Sequence, residues 1–270
     1  MSELSDRPYE RIRVERVRSR EKITLSYPAK RNAIGPRMTN ELLWALTDAM
    51  EDDRVRVIVI TGEGKMFSAG GDFAQMQVPG GSIPPPEVTS LPVKGDYADL
   101  LRIMIRSEKP IIARVNGHAL GTGLGLVAAC TFSVALKGTQ FGTPEINAGL
   151  FPMMVMTLLA RRISHHRLLE LMLLGEKVDA TEAVRIGLIG QVVEPGELDE
   201  TVRSLENQLM SKSPLIMRLG LRAYAAQDGL SFDDAMDLMK GRLKEVLGTE
   251  DAREGLAAFL EKREPAWVGR

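Results

Sequence analysis

Cysteine and histidine are scarce in this 270-residue chain, and each scarcity removes a class of function. The single cysteine, Cys130, has no partner for an internal disulfide, and its apolar neighbours predict a buried thiol. The three histidines lack cysteines or carboxylates at the spacing of metal ligands. The sequence therefore predicts no metal site.

Excess charge and long apolar runs are also missing. The net charge is −1, whereas nucleic-acid binding depends on clustered lysine and arginine, so we expect no nucleic-acid partner. No apolar run approaches the roughly 20 residues that span a bilayer. The acidic, polar stretch from Met1 to Pro8 contains no apolar core of a secretory signal. These absences favour a cytoplasmic protein without a membrane partner.

Glycine, in contrast, is concentrated in residues 110–126. Ile111 to Val115 predicts a short strand that ends at Asn116-Gly117, and three glycines at 121, 123 and 125 open a buried helix from Leu124 to Cys130. Glycine lacks the Cβ atom that would keep a ligand away from backbone N–H groups. The same pattern also suits close packing of a helix against a sheet, so the turn alone does not decide between the two.

The hydrophobic pattern predicts an α/β fold. The predicted strands lie at 11–17, 22–27, 55–60, 111–115, 131–136 and 190–193, and the predicted helices at 36–50, 97–107 and 153–162. This alternation calls for a mainly parallel sheet with helices outside it. Further helices are predicted at 166–174, 180–187, 197–211, 214–226, 231–247 and 250–263, so the C-terminal third is helical.

Three segments are predicted to be irregular. Residues 1–9 form a loose leader, and residues 77–95, rich in proline and glycine, form a mobile loop. Gly70 and Gly71 allow a sharp turn after the 55–60 strand, and Asp72 is suited to cap the helical turn that follows.

With these segments placed, the chain resembles the enoyl-CoA hydratase/isomerase (crotonase) superfamily from about residue 10 to 268. The matching motifs are Lys30-Arg-Asn-Ala33, Val57-Ile-Val-Ile-Thr-Gly62, Phe67-Ser-Ala-Gly-Gly-Asp72, Lys109-Pro-Ile-Ile-Ala-Arg-Val-Asn-Gly117, Ala119-Leu-Gly-Thr-Gly123, Phe141-Gly-Thr-Pro-Glu145, Gly149-Leu-Phe-Pro152, the 175–187 stretch and Glu254-Gly-Leu-Ala-Ala-Phe-Leu-Glu-Lys-Arg263. The resemblance implies a crotonase-like spiral of ββα units over residues 10–195. It also implies a helical C-terminal trimerisation region over 196–270, in a homo-trimer or a dimer of trimers.

The resemblance implies acyl-CoA thioesters as substrates and an oxyanion hole made of backbone N–H groups. By position, the donors are Gly71 and Thr122. Negative charge builds on the thioester oxygen when an enolate forms, and two fixed N–H donors, one at a helix N-terminus, stabilise that charge. A side chain at Thr122, where the family has glycine more often, leaves its N–H available.

The acid/base residues depart from the family's hydratases, which carry two glutamates. Here one position is Glu145 and the other is Gly125, the position of the missing second glutamate. A lone glutamate can shuttle a proton, which favours double-bond isomerisation, and bulky Met153 replaces a small glycine that helps hydratases seat a water. A hydratase or hydratase-lyase with one glutamate and a non-catalytic acyl-CoA binder are the alternatives. Without the resemblance, the turn position of Glu145 favours a solvated loop carboxylate over a catalytic one.

The resemblance further implies which residues meet the nucleotide end of CoA. These are the backbone near Ala33, Ala69 and Asp72 and the basic side chains of Lys30 and Lys262, although both lysines could simply be solvated charges. No cofactor is implied beyond the CoA of the substrate. The glycine spacing at 121–125 is G-x-G-x-G, which makes a dinucleotide-binding turn a weak rival. RNA binding, known in one branch of the family, is disfavoured by the near-neutral charge.

Overall fold

The structure, a computed structural model, describes residues 3–4, 7–75 and 90–270. Its strands form two sheets. In chain order the strands are β1 Glu3–Leu4, β2 Ile12–Val17, β3 Arg20–Leu25, β4 Val57–Gly62, β5 Met66–Ser68, β6 Ile111–Val115, β7 His118–Leu120, β8 Phe132–Leu136, β9 Gln140–Gly142, β10 Lys177–Asp179 and β11 Gln191–Val193.

The larger sheet has the strand order β1-β2-β3-β4-β6-β8-β11. The strands from β3 to β11 pair in parallel fashion. At one edge, β1 pairs with β2 and β2 pairs with β3 in antiparallel fashion. The mainly parallel sheet predicted from the sequence is therefore confirmed. The strands predicted at 11–17 and 22–27 are confirmed as β2 and β3, which pair with each other in antiparallel fashion across a turn at Arg18-Ser19.

The predicted helices are present, with ends displaced by a few residues at most. They are α1 Pro36–Glu51, α2 Tyr97–Ile105, α3 Thr122–Ala129, α4 Met153–Leu159, α5 His165–Leu174, α6 Ala180–Arg185, α7 Leu198–Met210, α8 Pro214–Ala226, α9 Phe232–Leu247 and α10 Glu250–Glu261. Several begin at the side-chain caps that favour helix initiation. Asp96, for example, accepts hydrogen bonds from the backbone N–H groups of Ala98 and Asp99 at the start of α2.

A second, smaller sheet with the order β10-β9-β7-β5 was not predicted. Its strands are three residues long, too short to show a period of two in the sequence. The Phe141–Glu145 motif begins inside β9 and continues into a 3₁₀ helix, Pro144–Ala148. This sheet positions the candidate site, because it supplies the strands that lead into both glycine turns.

The two sheets are built by a repeated chain path. Three times in succession, a strand of the larger sheet is followed by a strand of the smaller one: β4 then β5, β6 then β7, and β8 then β9. Helix α3 follows β7 and helix α4 comes after β9. The structure thus contains the ββα repetition that the family resemblance implies.

The larger sheet is buried on both faces. Along β4, Ile58 and Ile60 belong to the main core with α1 and α3, whereas Val57 and Val59 face a second apolar cluster. That second cluster is closed by Leu198 and other apolar side chains of α7. Side chains of a strand alternate between faces, so a continuous apolar run such as β4 requires cover on both sides.

Helices α8, α9 and α10 pack against one another and leave large apolar side chains in solvent. The most exposed are Phe232, Phe259 and Leu260, each about four-fifths exposed in the single chain (78%, 80% and 78%). Apolar side chains of this size on neighbouring helices are typical of surfaces that bind another protein chain.

Of the predictions about irregular segments, one is wrong and another can be compared with the structure only in part. Residues 1–9 were expected to be loose, but Glu3–Leu4 pairs with β2, and the Arg7 guanidinium donates to the carboxylate of Asp48. Most of the predicted mobile loop, 77–95, lies outside the described residues. Its described end is held to α1, because the Asn40 side chain bonds to the carbonyl of Pro92 and the N–H of Lys94 at 3.0 and 2.7 Å.

Candidate active site

The turn between β7 and α3 requires glycine at position 121. Gly121 has a φ of +50°, a conformation that side chains disfavour. A Cβ atom there would also lie 2.4 Å from Oε1 of Glu145. The Gly121 N–H donates to the carbonyl of Gly142 at 2.9 Å, which ties the turn to the end of β9. The glycine turn and Glu145, 24 residues apart in the chain, therefore lie in direct contact.

Thr122 is the first residue of α3, so its N–H has no acceptor within the helix. Gly71 lies opposite: a Cβ added to Gly71 would be 3.9 Å from Cγ2 of Thr122. A bridge to Ile34 orients the Gly71 backbone, since Ile34 donates to the Gly70 carbonyl and Asp72 donates to the Ile34 carbonyl, at 2.8 and 3.1 Å. Neither the Gly71 nor the Thr122 N–H donates to an atom of the described residues. The two donors named from the sequence are thus adjacent and available.

Glu145 is a buried carboxylate with an unused oxygen. It lies in the 3₁₀ helix Pro144–Ala148 and is 8% exposed. Its Oε2 atom is enclosed and has no hydrogen-bond partner in the part of the chain that the structure describes. Burial raises the pKa of Glu145 above its ordinary value, because the charged form loses its hydration. A carboxylate of this kind is suited to accept and return a proton.

Tyr97 is a site residue that the sequence did not reveal. Its hydroxyl donates a 2.5 Å hydrogen bond to the carbonyl of Thr122. A Cβ atom on Gly125 would lie 2.3 Å from the same hydroxyl oxygen. Burial, and secondly the negative charge of Glu145, raise the pKa of Tyr97 well above its ordinary value, so this hydroxyl stays protonated. In the sequence Tyr97 is only the first residue of an amphipathic helix, and nothing near it indicates contact with α3.

The residues expected to meet the nucleotide end of CoA are brought together beside Gly71. The Ala69 N–H donates to the carbonyl of Arg31 at 2.9 Å, and the Ala33 N–H donates to that of Lys30 at 3.0 Å. The ammonium of Lys30 lies 3.6 Å from Oδ1 of Asp72. Asp72 also accepts from the Ala74 N–H at 3.2 Å, as its predicted capping role requires. Four of the expected CoA contacts therefore share one region.

The other two expected substrate contacts are placed differently. Met153 begins α4, and its side chain is 62% exposed, so it does not enclose the space beside Gly125. Val155 does so instead, with Cγ2 at 3.1 Å from the position of a Cβ on Gly125. The Met153 N–H is already bonded to the Phe151 carbonyl at 2.8 Å. Lys262 follows the end of α10 and forms no hydrogen bond or ion pair to the candidate residues described above.

Within residues 3–4, 7–75 and 90–270, no group of three or more histidine, cysteine, aspartate or glutamate side chains is placed to hold a metal ion. No helix in the same ranges is long and apolar enough to cross a membrane.

Comparison with known proteins gives a consistent result. The sequence profile of the family described as "Enoyl-CoA hydratase/isomerase" matches residues 17–270. Crotonyl-CoA hydratase of Syntrophomonas wolfei is 33% identical over 266 residues, which cover 97% of this chain and 99% of the relative. Short-chain-enoyl-CoA hydratase of Clostridium acetobutylicum is 30% identical over 243 residues, or 89% of this chain and 91% of the relative.

Solved structures resemble the whole fold. Human enoyl Coenzyme A hydratase domain-containing protein 3 superposes with a TM-score of 0.86 at 28% identity, covering 96% of this chain and all of that one. An enoyl-CoA hydratase of Mycobacterium smegmatis superposes with a TM-score of 0.87, also at 28% identity, over 96% and 99% of the two chains. The α/β fold with C-terminal helices is thus shared along the full length.

Proposed function

The chain belongs to the enoyl-CoA hydratase/isomerase family, and from this premise we propose that it moves the double bond of 3-enoyl-CoA thioesters to the 2-position. The observation that carries the proposal is a lone buried carboxylate, Glu145, beside two available backbone N–H groups. Isomerisation moves a proton from one carbon to another and adds no atom. One acid/base group is sufficient for such a reaction.

In the proposed reaction the thioester oxygen accepts hydrogen bonds from the N–H groups of Gly71 and Thr122. When the proton leaves C2, its electron pair delocalises towards the thioester and the oxygen becomes negatively charged. The N–H of Thr122 stands at the positive end of α3, and both donors are held by backbone structure before substrate arrives. Donors fixed in this way stabilise the enolate more than the neutral thioester, typically by about 3–4 kcal/mol per donor.

Glu145 is proposed to carry the proton. Its carboxylate takes the proton from C2, the C3–C4 electron pair takes up that same proton at C4, and the double bond forms between C2 and C3. No atom is gained or lost, and Glu145 returns to its charged form. The unused Oε2 and the raised pKa of Glu145 support this role, because a buried carboxylate is a stronger base than a solvated one.

Hydration of 2-enoyl-CoA thioesters is the second candidate, favoured by the names of relatives such as crotonyl-CoA hydratase. It requires Glu145 both to activate the water and to supply the proton, or substrate to assist. Hydration with carbon–carbon cleavage needs the same assistance. A non-catalytic acyl-CoA binder remains the alternative outside enzymes, and the substrate screen described below separates it from the others.

We extend the proposal to partners and assembly. Acyl-CoA is the proposed ligand. Lys30, Ala33, Ala69 and Asp72 are proposed to meet its nucleotide end, together with Lys262, which follows α10. The CoA of the substrate is the only cofactor. The exposed Phe232, Phe259 and Leu260 support a homo-trimer or a dimer of trimers built on the C-terminal helices. A cytoplasmic location is proposed on the relation to bacterial hydratases.

The test is a screen of matched saturated, 2-enoyl and 3-enoyl CoA thioesters of one chain length. Isomerisation of the 3-enoyl compound gives conjugated 2-enoyl product, so ultraviolet absorbance rises with no change in mass. Hydration of the 2-enoyl compound adds the mass of one water and lowers that absorbance. If only 2-enoyl substrates gain water, the protein is a hydratase and not an isomerase. If acyl-CoA binds without any turnover, the protein is a non-catalytic binder.

The raised pKa of Glu145 predicts the acid limb of the pH profile. Only the charged carboxylate can accept the C2 proton, so kcat/KM is expected to fall as pH decreases through the pKa of Glu145 in the free enzyme. Burial raises that pKa, so the fall begins at a higher pH than for a solvated glutamate. The measurement is kcat/KM for a 3-enoyl-CoA between pH 4 and 8, and a rate that is flat down to the pKa range of solvated glutamate contradicts the assignment.

A further inference from the structure

The face of α3 that meets Glu145 continues to Gly125. Residues four apart lie on the same face of a helix, so Gly125 follows Gly121 one turn along. Glu145 covers Gly121, and the hydroxyl of Tyr97 covers Gly125. The carboxylate and the hydroxyl are therefore neighbours on one helix face, directly beside the Thr122 end of the oxyanion hole.

Tyr97 and a side chain at position 125 cannot occupy this space together. A Cβ at 125 would be 2.3 Å from the Tyr97 hydroxyl oxygen and 3.4 Å from the ring carbon that bears it. Both distances are measured to the Cβ alone, so a longer side chain meets a larger obstacle. The hydroxyl cannot simply turn away without losing its 2.5 Å bond to the Thr122 carbonyl.

We propose that Tyr97 is a specificity-determining residue, which takes the space of a second acid/base side chain at position 125 and so keeps this site from hydrating enoyl thioesters. The inference rests on the proposed function, because it explains why a single carboxylate works alone. Tyr97 presents a hydroxyl whose hydrogen points at the Thr122 carbonyl. The Tyr97 hydroxyl can therefore act neither as a base nor as a proton donor to a substrate held beside Glu145.

The chemistry explains why this space matters. Hydration forms a bond between a water oxygen and C3, moves one water proton to a base and delivers a proton to C2. Two carboxylates can hold the water and divide the proton transfers between them. With Tyr97 in place, the space beside Gly125 holds a neutral hydroxyl that is already hydrogen-bonded to the Thr122 carbonyl. Val155 closes the other side of this space, with its Cγ2 atom 3.1 Å from the position of a Cβ on Gly125. Isomerisation needs no group there.

The first test measures whether the two residues share one space. Thermal melting is compared for the natural protein, Gly125→Ala, Tyr97→Phe and the double variant. Replacing glycine by alanine inside a helix normally stabilises the helix. We expect Gly125→Ala to lower the melting temperature, and the same change to be tolerated once Tyr97→Phe has removed the hydroxyl. Equal effects of Gly125→Ala in both backgrounds overturn the proposal.

The second test exchanges the groups. Tyr97→Ala combined with Gly125→Glu supplies a second carboxylate and the room for it. The ratio of 2-enoyl-CoA hydration to 3-enoyl-CoA isomerisation is expected to rise at least about 100-fold, the lower end of what a general acid/base contributes. A folded exchange variant that binds acyl-CoA but shows the original ratio overturns the proposal.

A misfolded exchange variant leaves Tyr97→Ala alone as the readout, because opening the space admits water beside Glu145. Its hydration-to-isomerisation ratio must rise, and an unchanged ratio overturns the proposal. A failure of the proposed function can be distinguished from a failure of this inference. If the proposed function is wrong, the natural protein does not isomerise 3-enoyl-CoA at all. The gain of hydration in the exchange variant still tests the role of Tyr97 in that case.

Discussion

Glu145→Gln is expected to abolish turnover of enoyl-CoA substrates while acyl-CoA binding persists. Glutamine keeps the shape of the side chain but cannot accept the C2 proton. Removal of a general acid/base typically lowers the rate by about 10²–10⁴-fold. The three atoms nearest to a Cβ at Gly121 all belong to the Glu145 carboxylate, so the substitution changes the group that directly faces the glycine turn. The measurements are kcat with a 3-enoyl-CoA and the Kd of a saturated acyl-CoA by calorimetry.

The control for this variant is Glu194→Gln. Glu194 is an exposed glutamate just after β11, the edge strand of the larger sheet, and it pairs with Lys137, so its change should leave kcat unaltered. If Glu145→Gln retains the natural rate on every enoyl-CoA that the protein turns over, Glu145 is not the proton carrier. Loss of binding together with loss of rate would indicate a structural role instead.

The same variant carries a stability prediction with a definite sign. Burial raises the folded-state pKa of Glu145, so folding favours its protonated form and the charged form opposes folding. Any advantage from protonation is complete below the unfolded-state pKa and disappears as pH rises through the folded-state pKa. Glu145→Gln should therefore melt no lower than the natural protein at neutral pH. The difference between the two should shrink as the solution is acidified.

The sequence predicted most of the large sheet because its longer strands carry a readable pattern: β4 is an apolar, β-branched run, whereas charged and apolar residues alternate in β2 and β3. The strand predicted at 55–60 overlaps β4 and is recognised from its β-branched apolar run, and the helix predicted at 36–50 matches α1 and is recognised from its apolar spacing. The small sheet could not be predicted in this way, because strands such as His118–Leu120 are set by pairing with segments far away in the chain. Tertiary pairing, rather than local preference, determines structure in segments of three residues.

The residues of the candidate site also differ in whether they could be predicted from the sequence. Glu145 and the two N–H donors, Gly71 and Thr122, are attached to motifs whose order and spacing can be read in the sequence. Tyr97 belongs to no motif, and its contact with α3 depends on how α2 crosses it. The family resemblance marks Gly125 as the position of a missing carboxylate, but only the fold shows that the Tyr97 hydroxyl fills its space.

Asn32, inside the Lys30-Arg-Asn-Ala33 motif, is a further residue whose importance only the structure reveals. It is fully buried, with 0% of its surface exposed. Its Nδ2 donates to the carbonyls of Glu63, Met66 and Phe67 at 3.0, 2.9 and 3.2 Å, and its Oδ1 accepts from the Tyr27 N–H at 2.9 Å. One side chain thus joins the loop of Lys30 and Ala33 to β5 and the turn that leads to Gly71.

Asn32→Ala should therefore destabilise the fold more than an ordinary substitution does. It leaves several buried carbonyls and one N–H without partners, and it places alanine at a φ of +54°, which asparagine tolerates better. We expect a loss of about 3–4 kcal/mol in the free energy of unfolding. The corresponding fall in melting temperature is roughly 6–16 °C. Denaturant unfolding and thermal melting measure the two quantities.

Two further variants separate the causes of this loss. Asn32→Gly relieves the backbone conformation but not the missing hydrogen bonds, so it should recover only the smaller part of the stability. Asn207→Ala removes an exposed asparagine from α7 and should change the free energy of unfolding by less than about 0.5 kcal/mol. If Asn32→Ala is as mild as Asn207→Ala, the hydrogen bonds of Asn32 do not hold the loop. If it is severe, the turn that presents the Gly71 N–H depends on a side chain 39 residues earlier, and the surviving folded enzyme should also show a raised KM for acyl-CoA.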